Sequence, residues 1–108
     1  MPNKIRVLLL PVMDHARVDY IENTLAAKQK YVEGYIECLT LEDDVDLICN
    51  EEGKLTHRPN RPIFNGADCV YGPAMVARAD PATGEYIDLT DKDVAKYTEM
   101  FRVWALSF

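Results

Sequence analysis

Apolar residues in this chain fall into short blocks separated by polar turns, and the period within each block predicts its structure. Ile5-Arg6-Val7-Leu8-Leu9-Leu10 is almost wholly aliphatic and stops at Pro11. This predicts a strand buried on both faces rather than an amphipathic helix. Arg17-Val18-Asp19-Tyr20-Ile21 alternates polar and apolar residues and predicts a second strand, paired back across the Met13–Ala16 turn. Asn23 stands as a cap before Thr24–Val32, whose alanines and long unbranched side chains favour a short helix. Gly34 sits where such a helix would end with positive φ. Tyr35-Ile36-Glu37-Cys38-Leu39-Thr40-Leu41 alternates strictly, then Glu42-Asp43-Asp44 supplies a polar turn into Val45-Asp46-Leu47-Ile48-Cys49, which together predict an antiparallel hairpin with an acidic tip.

The second half carries more turn residues. Asn50-Glu51-Glu52-Gly53-Lys54 predicts a tight turn, and His57-Arg58-Pro59-Asn60-Arg61-Pro62 an irregular connection, because proline cannot donate to a ladder. After the turn Asn65–Asp68, Cys69-Val70-Tyr71 and Ala74–Arg78 predict one long strand bulged at Gly72-Pro73. Asp80–Glu85 turns the chain into a short edge strand, Tyr86–Leu89. Thr90 and Asp93 match a capping box ahead of Val94, Tyr97, Phe101 and Trp104 at helical spacing. Hairpins with two separate helices make the expected class α+β: a mainly antiparallel sheet, a short helix after the first hairpin, and a C-terminal amphipathic helix packed on the sheet.

Composition adds scale. The chain has 108 residues, 48% hydrophobic and 28% charged, enough for one core and one α+β domain over 1–108. Its 18 acidic residues against 12 basic ones leave a net charge of -6, which repels a phosphate backbone and argues against direct nucleic-acid binding. Cys38, Cys49 and Cys69 are widely spaced with no C-x-x-C pair, so neither a metal site nor a cofactor motif is indicated. No apolar stretch reaches the ~18 residues of a membrane span, and a reducing cytoplasm is the expected location.

Candidate chemistry is sparse. His15 and His57 lie in loops, without a G-x-S-x-G serine, so no catalytic residue is assigned. Glu42, Asp43, Asp44, Asp46, Glu51 and Glu52 form the densest acidic group, but the calcium-loop offset is missing, and solvated turns account for them more plainly. The unusual segment is Asn50–Arg61, which gathers cationic and amide side chains around glycine and prolines. Asn50, Glu51, Lys54, Arg58, Asn60 and Arg61 are the candidate binding residues, with Arg58 and Arg61 suited to gripping a phosphate or carboxylate. The competing reading makes Asn60 and Arg61 internal braces of a long loop. Trp104, Leu106 and Phe108 keep the chain end apolar and mark a candidate self-association surface.

Gly34-Tyr35-Ile36-Glu37, Leu47-Ile48-Cys49-Asn50-Glu51-Glu52-Gly53-Lys54-Leu55, Pro59-Asn60-Arg61 and Leu89-Thr90-Asp91 together resemble a family of small proteins catalogued as a domain of unknown function. It is found in bacteriophages, plasmids and conjugative elements, and the resemblance runs from about Lys4 to Phe101, with N-E-E-G-K and P-N-R its most specific parts. The resemblance implies a protein of phage or mobile-element type acting in the host cytoplasm. The resulting expectation is a non-enzymatic, homo-oligomeric binding protein that counters host defence by sequestering a signalling nucleotide or occluding a host protein. Two alternatives stay open: an acidic DNA mimic that inhibits a restriction or nuclease system, and a small hydrolase or nuclease using His57.

Overall fold

A computed structural model describes residues 3–102. The elements in chain order are β1 (Lys4–Leu10), β2 (Arg17–Glu22), α1 (Leu25–Val32), β3 (Ile36–Glu42), β4 (Val45–Asn50), α2 (Gly53–Thr56), β5 (Pro59–Ile63), a 3-10 turn (Phe64–Gly66), β6 (Asp68–Tyr71), β7 (Ala74–Ala79), β8 (Tyr86–Ile87) and α3 (Asp91–Met100). The main sheet runs β2-β1-β7-β4-β3, with β8 also on β7, and every pairing is antiparallel. The expected α+β architecture, the hairpins β1–β2 and β3–β4 and the edge strand β8 are all present.

The aliphatic composition of β1 follows from its place. Leu8 faces Val18 on one side and Val76 on the other, and Val7, Leu8, Leu9 and Leu10 are all buried. Alternate side chains enter different layers. Leu8, Leu10, Leu47 and Val76 pack with Tyr97 and Phe101 of α3 and with Ile63 and Val70, whereas Val7, Leu9, Ile48 and Met75 pack with Val32 and Tyr31 of α1.

α1 begins at Thr24, whose hydroxyl accepts the Ala27 N–H at 3.1 Å, not at Asn23. The Asn23 side chain instead donates to Tyr86 O and accepts from Lys28 Nζ. Lys28 is buried against α1's own first turn and over the Tyr86 ring, 5.2 Å from its centroid. At the other end Glu33, not Gly34, adopts the left-handed conformation. α3 begins with the expected capping box between Thr90 and Asp93, and Asp93 also accepts two 2.7 Å hydrogen bonds from Arg78 of β7. Tyr97 and Lys96 both donate to Glu42, fixing α3 to the end of β3.

Two further expectations need correction. His57–Pro62 is not irregular throughout: β5 starts at Pro59 and pairs with β6 as a separate two-stranded ribbon, its register slipping between Pro59 and Arg61. Prolines are tolerated there because each strand of a two-stranded ribbon has one side without a ladder partner. Nor are Cys69–Tyr71 and Ala74–Arg78 one bulged strand. Gly72, with φ +80°, turns the chain between them, leaving β6 in the ribbon and β7 in the main sheet.

Two stability outcomes follow. Leu8 is 1% exposed, so Leu8→Ala should cost about 2–5 kcal/mol in urea unfolding; an unchanged midpoint would place the side chain outside the core. The Arg78 guanidinium, through its hydrogen bonds, holds the Asp93 carboxyl down at about 2 from an ordinary 3.8. Because the folded value is the lower one, the stabilisation is complete above about pH 4 and is lost as pH falls toward about 2. Asp93→Asn should therefore lose roughly 2 kcal/mol at pH 7 and show a flatter decline in stability across that acid window.

Candidate functional site

Of the two motifs of the Asn50–Arg61 segment, Asn50, Gly53, Asn60 and Arg61 lie inside the protein and Glu51, Glu52, Lys54 and Pro59 at its surface. Asn50, at the end of β4, donates through Nδ2 to Val32 O at 2.9 Å and Glu33 O at 3.1 Å, closing the C-terminus of α1, and its Oδ1 accepts the Glu52 N–H. A Cβ on Gly34 would stand 2.7 Å from Asn50 Nδ2, so the glycine makes room for that cap. At Gly53 a Cβ would come within 2.5 Å of the Tyr71 carbonyl oxygen, and α2 could not approach β6.

Asn60 and Arg61 are both fully buried in β5. Asn60 Nδ2 donates to Leu10 O at 2.7 Å and Gly72 O at 2.8 Å. Arg61 donates to Phe101 O at 2.7 Å and Pro11 O at 2.8 Å, to Asp14 O, and to Asn60 Oδ1 at 2.6 Å. The geometry is that of internal braces, and the expectation that Arg61 reaches out to an anionic group is corrected accordingly: main-chain carbonyls take its N–H groups below the surface.

The remaining candidates of that segment stay at the surface and do not converge. Glu51 is exposed in the turn after β4, and Lys54 on α2 reaches Asp68 at 3.4 Å, both side chains largely in solvent. Arg58 lies away from them against the Met13 sulfur, next to the end of β1. His57 Nε2 meets Glu33 Oε1 at 2.8 Å, and its Nδ1 meets the Thr56 hydroxyl at 2.6 Å, tying α2 to the C-terminus of α1. The acidic group is dispersed: Glu42 is engaged by α3 and Asp46 accepts from the Tyr86 hydroxyl at 2.7 Å. Among the described residues no group of acidic, histidine and cysteine side chains could hold a metal ion. Burial pushes the Cys49 thiol up to about 12, which keeps it protonated and unreactive. Trp104, Leu106 and Phe108 lie outside the described residues. No helix of the described residues is long and apolar enough to cross a membrane.

A different place has the shape of a binding site. Between α1 and the β1–β2 hairpin lies a groove of about 740 Å³, within the size range of small-molecule sites. Pro11, Val12, Ile21, Ala26, Ala27 and Pro73 make its apolar walls; Arg17, Lys30, Glu22 and Thr24 give it polar groups. Tyr31 lines it too, but its hydroxyl is buried beneath the surface, without a hydrogen-bond partner among the described residues. Burial pushes that phenol up to about 12, while Arg17 and Arg61 pull it the other way, so it stays a neutral donor at physiological pH. Nothing in the sequence distinguishes Tyr31 from an ordinary helix residue. Ala26 and Ala27, which line it from α1, read in the sequence only as helix propensity.

Arg61→Ala would strand the carbonyls of Pro11, Asp14 and Phe101 and open a cavity. A loss of about 3 kcal/mol or more is expected in denaturant unfolding. A variant of wild-type stability would show that the guanidinium is not a brace.

No curated protein and no solved structure matches this chain. A family model described as Domain of unknown function (DUF3846) matches residues 5–102, from β1 through the end of α3. The matched span contains the caps, the close-approach glycines and the Asn60–Arg61 brace that hold the sheet, ribbon and helices together, and the chain belongs to that family.

Proposed function

We propose that this is a non-enzymatic binding protein that takes a small nucleotide into the α1–β2 groove. In a phage or mobile element such a protein counters host defence by withholding a signalling nucleotide from its effector. The observation that carries this reading is the groove itself, with apolar walls for a base and the cationic side chains of Arg17 and Lys30 for a phosphate. The rigid surroundings favour binding, since β1 and the Asn60–Arg61 brace hold the Pro11–Val12 wall in place before any ligand arrives.

Occlusion of a host protein, or mimicry of DNA, has less support. Of the acidic group at the β3–β4 tip, Glu42 and Asp46 are engaged within the fold.

Thermal unfolding with and without nucleotides tests the reading. A ligand present at about 100 times its Kd should stabilise the protein by about 2.7 kcal/mol, raising Tm visibly. A panel of nucleoside mono- and diphosphates, cyclic dinucleotides and ADP-ribose should contain at least one member that does so. If none shifts Tm at millimolar concentration, the protein is not a nucleotide-sequestering one.

A further inference from the structure

The two edges of the main sheet are finished differently. β2 forms one edge and β3 the other. In β2 the hydrogen bond from Asn23 N–H to Asn3 O sets the phase of the ladder, so the main-chain groups of Val18, Tyr20 and Glu22 point away from β1. Part of that set is already spent within the chain. Asp19 Oδ1 accepts the Tyr20 N–H at 2.8 Å, and Glu22 O accepts the Thr24 N–H at 2.9 Å. In β3 the bond from Glu51 N–H to Tyr35 O at 2.9 Å sets the phase in the same way, and the main-chain groups of Ile36, Cys38 and Thr40 point outward. These have no hydrogen-bond partner among the described residues. Cys38 and Thr40 are exposed, no proline or lysine interrupts the strand, and its irregularity begins only after Thr40. β3 therefore lacks the devices that usually close an edge.

The side chains along this edge determine what suits it. Glu37 and Leu39 line a cleft of about 360 Å³ that β3 forms with α2 and β6. Glu37, Glu51, Glu52 and Asp68 are exposed around it, against the single ammonium of Lys54, which pairs with Asp68 at 3.4 Å. On the opposite face of β3 alternate Ile36, Cys38 and Thr40, none of them charged.

We propose that the β3 edge takes up an extended, basic segment of a partner protein as an added strand, with its lysine or arginine side chains over the acidic cleft. The outward main-chain groups of β3 supply the attachment, and alternation supplies the selectivity. Every second residue of an added strand, about 7 Å apart, falls on the cleft side. A cationic residue there, opposite or diagonal to Glu37, gains a cross-strand partner. A second copy of this chain suits the edge less well, because antiparallel pairing of two β3 strands puts both Glu37 carboxylates on one face, in a protein of net charge -6. β3 is the edge opposite β2, which lines the groove described above, so the proposal is independent of what that groove binds.

Fluorescence anisotropy with an end-blocked seven-residue peptide alternating valine and lysine tests the proposal, with the same peptide carrying glutamate for lysine as the control. The basic peptide is expected to bind the full chain at least tenfold more tightly than the acidic one. N-methylation of its amides leaves the charge intact and removes the donors, and should abolish binding to the wild-type chain. Cys38→Pro removes an outward N–H and no ladder bond, so it should keep the fold and weaken the peptide at least tenfold. Glu37→Lys should weaken it to a similar degree. Binding that survives N-methylation of the peptide would mean attraction of charge without strand addition and would overturn the proposal. Equal binding of the two peptides, or none by the basic peptide at millimolar concentration, would overturn it as well. A chain that is dimeric by light scattering and becomes monomeric with Cys38→Pro would place a second copy on the edge instead.

Discussion

A buried guanidinium surrounded by main-chain carbonyls organises this protein. Arg61 sits in β5, outside the main sheet, yet it donates to the carbonyls that follow β1 and to the one that ends α3, at Phe101. Asn60 beside it holds Leu10 and Gly72. Burial lowers the Arg61 pKa from its ordinary value, but a guanidinium starts so high that it remains charged. Its planar fork can satisfy several diverging carbonyls at once, which the single ammonium of a lysine could not. Through these bonds the β5–β6 ribbon, the end of β1 and α3 become one layer over the sheet, and the apolar contacts of Ile63, Val70, Tyr97 and Phe101 complete it.

The other face of the sheet is covered much more thinly. α1 contributes Val32 and Tyr31 to the apolar layer, and its remaining core-facing residue is Lys28, which is kept by Asn23 and the Tyr86 ring. Ala26 and Ala27 of α1 line the groove that remains there. The brace that fixes Pro11 also holds one wall of that groove.

Several of the residues that the sequence singles out are therefore architectural. Asn50 closes a helix, Gly34 and Gly53 permit close approaches, and Asn60 and Arg61 brace the loop. A motif can be specific to a family because a fold requires it, with no ligand involved.

Sequence alone determined the features that depend on near neighbours. The aliphatic run of β1, the alternation of β3, the capping box of α3 and the polar tips of the hairpins each have a local cause, since period, caps and turn chemistry act over a few residues. Sequence also held both meanings of Arg61 open, and it described the 57–62 segment as irregular because two prolines argue against a ladder. Tertiary structure alone decided that this segment pairs as a ribbon, that Gly72 separates two sheets, and that Arg61 is buried. The burial of Arg61 depends on atoms some 40 to 50 residues away, the carbonyls of Phe101 and Pro11, which no local pattern encodes. The groove is of the same kind: residues of β2, α1 and the Pro11–Val12 segment line it together, and only the packing of the helix on the sheet brings them to one place.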